Sequence, residues 1–328
     1  MKKFLVFLFI FSFFASLSAQ LYDVSGVVNA EMEYDFKDLA VLNSTTAYLA
    51  STDGILLKTT DGGLTWTVAF NEPSENDINS IAFYNEQLGV MACSKGYIYK
   101  TTDGGTTWTD ISNMSGEISV TTDIYDVMIL DENTYWFVGK YYEVPIDDST
   151  SKNIPLAMKT ADGGTSYTFH EFAQDNKKYG YSITSAMNGQ VIIIGYSNGV
   201  VISPDGGESW AQPSSVDYVL DTYSRSDIKS VYSINDGQTL LATGWGTFAL
   251  GLQNTTILRS TDGGISWANQ IQDENTATYC YGQCIFFEDE NTGYIGGGGT
   301  GYGGLVLKTT DGGITWEVIF NCADDIIT

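Results

Sequence analysis

Apolar residues along this chain fall in short runs separated by turn residues, and the runs recur in sets of four. In the stretch 77–111 the run Ser80-Ile81-Ala82-Phe83-Tyr84 predicts one strand, 89–94 a second, 97–101 a third and 107–111 a fourth. The stretch that begins at 281 repeats this order: Cys284-Ile285-Phe286-Phe287 lies over 80–83, and Gly293-Tyr294-Ile295 lies over Gly89-Val90-Met91. Inner runs such as 127–130 and 191–194 are almost continuously apolar, as expected of strands covered on both faces by neighbouring sheets.

Between the third and fourth run of each set stands one phrase, Thr-Thr-Asp-Gly-Gly-x-Thr-Trp or a close variant, written six times. Its aspartates are Asp61, Asp103, Asp162, Asp205, Asp262 and Asp311, spaced by 42, 59, 43, 57 and 49 residues. It ends in Trp66, Trp108, Tyr167, Trp210, Trp267 and Trp316. Periods of this size indicate stacked supersecondary units, and four short strands per unit make a β-propeller blade. The phrase suits the hairpin joining strands three and four. Its carboxylate accepts backbone N–H bonds, its glycines supply positive φ, and its Trp is a wedge between sheets. The chain is thus expected to be all-β, a propeller of four-stranded antiparallel blades at about 35–70, 77–111, 124–171, 180–211, 227–271 and 281–320.

The phrase matches Ser/Thr-x-Asp-x-Gly-x-Ser/Thr-Trp, and on it the chain is identified as a member of the Asp-box, or BNR, repeat propellers; only Tyr167 departs. Families that share the repeat include sialidases, sortilin-type receptors, xyloglucan-degrading glycosidases and photosystem II assembly factors, whose repeat is similar in spacing. The resemblance implies that the boxes are structural and lie away from the ligand, so none of the six aspartates is expected to be catalytic. The segment 24–29 resembles the fourth-strand segment 66–71, and 321–328 resembles the connection 71–80. Both point to a seven-bladed ring whose last blade is truncated, with 22–28 as a closing outer strand; the rival is a closed six-bladed ring with that strand added to a blade edge.

Residues 1–19 read as a signal peptide: Lys2 and Lys3, then an apolar stretch at 4–14, then Leu17-Ser18-Ala19 before Gln20. The product is expected to be secreted, extracellular or periplasmic, without membrane insertion, since no later segment reaches the roughly 18 apolar residues of a span. With 15 basic and 40 acidic residues, the formal charge of −25 repels phosphates and excludes nucleic-acid binding. No cofactor is expected; Ca²⁺ is the alternative that the acidity invites, although no EF-hand-like loop is present. Four cysteines in an exported chain allow three pairings, of which Cys280 with Cys322 would staple neighbouring units; Cys93, in an apolar run, reads as a buried thiol.

If the boxes lie at one end of each blade, connections between strands two and three and those between blades lie at the other. Length variation is concentrated there, at 140–156, 244–256 and 296–304, which marks the binding face. The ligand-binding candidates are Tyr141, Tyr142, Trp245, Phe248, Tyr302 and Tyr223, joined by Tyr179, Tyr218 and Tyr281 and by Asp147, Asp148, Asp217, Asp221 and Asp227. Only Arg225 and Arg259 are present, which excludes the arginine cluster of a sialidase, and the sole histidine, His170, excludes a His-rich zinc site. No catalytic residue and no metal ligand is assigned. The expected function is a binding or adhesion module for a glycan or a protein. The alternatives are a glycoside hydrolase, whose carboxylate pair would stand roughly 5 to 9.5 Å apart, and a scaffold like the photosystem II assembly factors.

Overall fold

The computed structural model describes residues 7–8, 22–23, 35–112, 122–143, 152–172, 179–216, 226–247, 253–270, 281–299 and 302–321. The fold is an all-β propeller, and its six blades begin where the apolar runs do. The chain divides into two compact units, 1–137 with 158–168, and 138–157 with 169–328. Among the described residues, no helix is long and apolar enough to cross a membrane. Tyr22–Asp23 pairs with Phe7–Leu8; 24–28 and most of 1–19 lie outside the described residues.

In the first unit, blade one runs Phe36–Val41, Ala47–Ser51, Ile55–Thr59 and Thr67–Asn71, each strand antiparallel to the next. Blade two repeats this with Ile78–Phe83, Gly89–Cys93, Ile98–Thr101 and Thr109–Asp110. Their second and third strands are joined by the short turns Thr52–Gly54 and Ser94–Gly96, in which Asp53, Gly54, Lys95 and Gly96 all take positive φ. Second strands are buried from end to end, as their unbroken apolar runs require. Blade three consists of Thr122–Ile129, Tyr135–Glu143, Lys152–Thr160 and Thr168–Glu171, in that order.

In the second unit, blade four departs from the pattern. Its strands Gly180–Ala186, Val191–Tyr196 and Gly199–Ser203 pair normally, but the fourth is reduced to one bridge between Ile202 and Ala211. Pro213 comes two residues later and has no N–H to continue the ladder. The chain crosses instead to blade five. Ser214 donates its N–H and its hydroxyl to the Ile265 carbonyl, both at 2.9 Å, and Ser215–Val216 pairs in parallel with Ser266–Asn269. Blade five therefore has five strands, the others being Ser226–Ile234, Thr239–Thr247 and Gln253–Ser260. Blade six has Gly282–Phe287, Gly293–Gly299, Tyr302–Thr309 and Glu317–Asn321.

Neighbouring blades are fastened by polar latches as well as by apolar packing. Lys58, just before the first box, donates to the Gly104 carbonyl in the second at 3.2 Å, and Lys100 donates to Gly163 in the third at 3.2 Å. Arg259 repeats the latch onto Gly312 at 3.0 Å. Lys58 and Lys100 also lie over the rings of Tyr48 and Tyr135. A second fastening joins blades one and two. Buried Glu72 accepts from Ser74 N–H, Asn76 N–H and the Asn76 amide through Oε2, and from the Tyr99 hydroxyl at 2.7 Å through Oε1. Burial and the neighbouring Glu72 carboxylate raise the Tyr99 pKa well above its usual value, so the phenol remains a donor. Glu72→Ala would leave several of these donors unsatisfied inside the protein. We expect it to lower stability by roughly 2–3 kcal/mol, read from the denaturant midpoint, with Tyr99→Phe costing about 1 kcal/mol.

Candidate functional site

The six boxes share one hydrogen-bond set. In the first, Asp61 Oδ1 accepts Thr65 N–H at 2.9 Å and the Thr59 hydroxyl at 2.8 Å, while Oδ2 accepts the Thr65 hydroxyl at 2.6 Å. Thr59 Oγ1 in turn accepts Gly63 N–H at 2.9 Å. The same bonds recur at Asp103, Asp162, Asp205, Asp262 and Asp311. Gly104 and Gly105 show why the glycines are needed. Both have positive φ, and a Cβ on Gly105 would collide with the Tyr48 hydroxyl of the preceding blade.

The terminal aromatic residue of the box packs across the blade junction. Trp108 lies 6.4 Å from Phe70, Trp210 lies 5.8 Å from Phe172, and Tyr167 donates its hydroxyl to the Ile111 carbonyl at 2.9 Å. Trp267 is fully buried and, like Trp66 and Trp316, donates its indole N–H to the carbonyl of its box's second glycine. Both carboxylate oxygens of these aspartates accept hydrogen bonds from their own turn.

Opposite the boxes, the length variation takes the form of prolonged hairpins rather than loops. In blade three the paired strands reach Glu143 and resume at Lys152; in blade five Thr247 pairs with Gln253, and in blade six Gly299 pairs with Tyr302. Tyr141 and Tyr142 lie on the blade-three arm, and Tyr141 is half-buried. Trp245 lies on the blade-five arm and Tyr302 on the blade-six arm. Phe248, Tyr223, Tyr218, Asp147, Asp148, Asp217, Asp221, Cys280 and Cys322 lie outside the described residues. Cys93 is buried.

Two aromatic groups are assembled at this end of the second unit. Trp245 packs against Tyr281 with ring centroids 5.6 Å apart. Tyr179 stacks on Tyr181 at 5.8 Å, with Lys140 Nζ 4.9 Å from the Tyr179 ring and Lys229 Nζ over the Tyr181 ring at 3.2 Å. Asn153 donates to the Tyr179 hydroxyl at 3.2 Å, and Tyr181 donates to the buried Asp227 carboxylate at 3.3 Å. Burial above all raises the Tyr181 pKa, with the Asp227 charge adding to it, so this phenol also remains a donor. Tyr181, Lys140, Lys229 and Asn153 escape a reading of isolated aromatic residues. The signal for Tyr181 is its place two residues after Tyr179, on the same face of an extended chain. Among the described residues, no group of three or more His, Cys, Asp or Glu side chains is placed to hold a metal ion.

The hydroxyl of the following Ser or Thr, with backbone N–H bonds, depresses the pKa of Asp61, Asp103, Asp162 and Asp205 to about 2. Burial pushes Asp262 and Asp311 upward, but the same donors together outweigh it and leave them lowered. A depressed folded-state pKa stabilises above the unfolded value near 3.8 and loses that contribution as pH falls through about 2. The thermal midpoint should therefore drop steeply between about pH 4 and pH 2. In scanning calorimetry, an Asp61→Asn, Asp103→Asn double variant should show a shallower drop.

Residues 20–117 match the model of the family described as photosynthesis system II assembly factor YCF48. No curated protein matches the chain. Among solved structures, YCF48 bound to D1 peptide is similar with a TM-score of 0.58 and 17% identity, over 88% of this chain and 83% of that one. YCF48 from Cyanidioschyzon merolae is similar with a TM-score of 0.58 and 16% identity, over 88% and 85%. The GH74 xyloglucanase from Xanthomonas campestris reaches 0.61 at 15% identity, but the chain spans only 47% of that enzyme. The repeat and the blade architecture make the chain an Asp-box β-propeller, the solved structures share its fold, and residues 20–117 are similar to the family described as photosynthesis system II assembly factor YCF48.

Proposed function

We propose that this propeller is an exported, non-catalytic scaffold that binds an extended segment of a protein partner at the end of its blades opposite the boxes. The observation that carries this reading is the stacked Tyr179–Tyr181 pair bracketed by Lys140 and Lys229, beside the prolonged hairpin of blade three. Tyrosine faces supply apolar area at low entropic cost, and the lysines and Asn153 supply donors for main-chain carbonyls or a carboxylate. A protein ligand is favoured because a similar propeller, YCF48, has been solved with a peptide bound. The leader at 1–19 supports export.

The test is a peptide library and a glycan array, each probed with the mature protein and with Tyr179→Ala. A peptide ligand is expected, with affinity about 30-fold weaker in Tyr179→Ala, a loss of about 2 kcal/mol typical of a central aromatic anchor. The thermal midpoint should fall only modestly, because Tyr179 is half-buried and also stacks on Tyr181 and accepts from Asn153. Glycan binding without peptide binding, or polysaccharide cleavage abolished by one carboxylate substitution, would overturn the reading.

A further inference from the structure

The first strand of a blade has a β-bulge near its start. Register shifts at Phe36/Asp38, Ile78/Ser80, Gly180/Ser182, Ile228/Ser230 and Gly282/Cys284 fall at one repeated place, and the residue after the shift turns toward the next blade. The position calls for an acceptor. Ser182 Oγ takes Val231 N–H at 3.3 Å and Ser230 Oγ takes Ile285 N–H at 3.2 Å, so a neutral hydroxyl is enough to join blade four to five and five to six.

In the first unit the same job falls to a carboxyl group. Asp38 Oδ2 accepts Ile81 N–H of blade two at 2.8 Å, and its Oδ1 accepts Leu39 N–H at 2.8 Å. Ser80 Oγ then lies 2.9 Å from Asp38 Oδ2 and 3.0 Å from Asp126 Oδ1 of blade three, whose Oδ1 also accepts Val127 N–H. A serine hydroxyl has one hydrogen and therefore cannot donate to two carboxylates at once. Both short contacts are hydrogen bonds only if one carboxyl carries a proton.

We propose that Asp38 and Asp126 share one proton through Ser80, in the chain Asp38 Oδ2–H to Ser80 Oγ and Ser80 Oγ–H to Asp126 Oδ1, and that this proton fastens blades one, two and three. Asp38 is the site that holds it. Burial raises its pKa in spite of the bonds from Ile81, Ser80 and Leu39. Three other titratable groups on the packed elements have partners of their own. Lys37 pairs with Asp77 at 3.9 Å, Tyr48 donates to the Gly104 carbonyl, and Asp123 accepts Lys95 N–H. Cys93 is buried in its apolar strand beside the Glu72–Tyr99 pair. When the shared proton leaves, two like charges face one hydroxyl and the joint loosens.

The sign follows from the raised pKa: this contribution is complete below the unfolded aspartate value and is lost as pH rises through the folded one. The test compares thermal midpoints of the mature protein and of Asp38→Asn from about pH 5 to pH 9, alongside infrared spectra at neutral pH. Asparagine keeps the shape and removes the titration, and an amide turned to donate to Ser80 gives up the acceptor for Ile81 N–H. Wild type should lose more of its midpoint than Asp38→Asn as pH rises. Wild type should also show a protonated-carboxyl band that Asp38→Asn lacks and Asp126→Asn keeps. If Asp38→Asn does not fold, Ser80→Ala replaces it and should shift that band. Parallel midpoint curves, a band unchanged in Asp38→Asn, no band in wild type, or a band indifferent to Ser80→Ala would overturn the proposal.

Discussion

The structure depends on a carboxylate folded back into its own turn. In each box an ionised aspartate accepts the backbone N–H and the hydroxyl of the residue four positions on, and a second hydroxyl from the residue two positions before. These charge-assisted bonds fix a tight turn that two left-handed residues would otherwise leave loose. A fixed turn sets the angle at which strand four leaves strand three and where the closing aromatic ring lands. It also presents the box carbonyls that the basic side chain of the preceding blade grips. Local chemistry repeated six times thus becomes the spacing between sheets.

This arrangement divides labour along each blade. At the box end, the turn between strands one and two is bonded to the box itself, through Gly62 N–H to Thr45, Gly104 N–H to Gln87 and Gly312 N–H to Asn291. That end is saturated. At the other end, blades one and two close with three-residue turns, whereas blades three, five and six extend their central strands into longer hairpins. Side chains there include stacked aromatic rings with lysines over their faces. A surface of this kind can acquire a ligand without endangering the scaffold.

Much of this was legible in the chain. The six boxes announce the blades, and alternation of strand direction puts the variable segments opposite the boxes. Three features were not legible, each for a physical reason. The bulge at Asp38, Ser80, Ser182 and Ser230 inserts one residue into an apolar run without breaking its composition, so no period reveals it. Lys58 and Lys100 are plain in the sequence, but their acceptors stand 46 and 63 residues away and are backbone atoms, which have no sequence signature. The migration of Ser215–Val216 to blade five is signalled by Pro213, yet a proline says only that a ladder stops and not where the chain goes next.

The central claim is that the box end holds the fold while the opposite end recognises the ligand. Residue-resolved hydrogen exchange, with and without a bound peptide, tests it most directly. The account predicts slow exchange at the box amides of Gly63 and Thr65 in both states, with new protection confined to the neighbourhood of Tyr141, Tyr179, Tyr181 and Trp245. Ligand-induced protection at the box hairpins, with none at the opposite end, would contradict it.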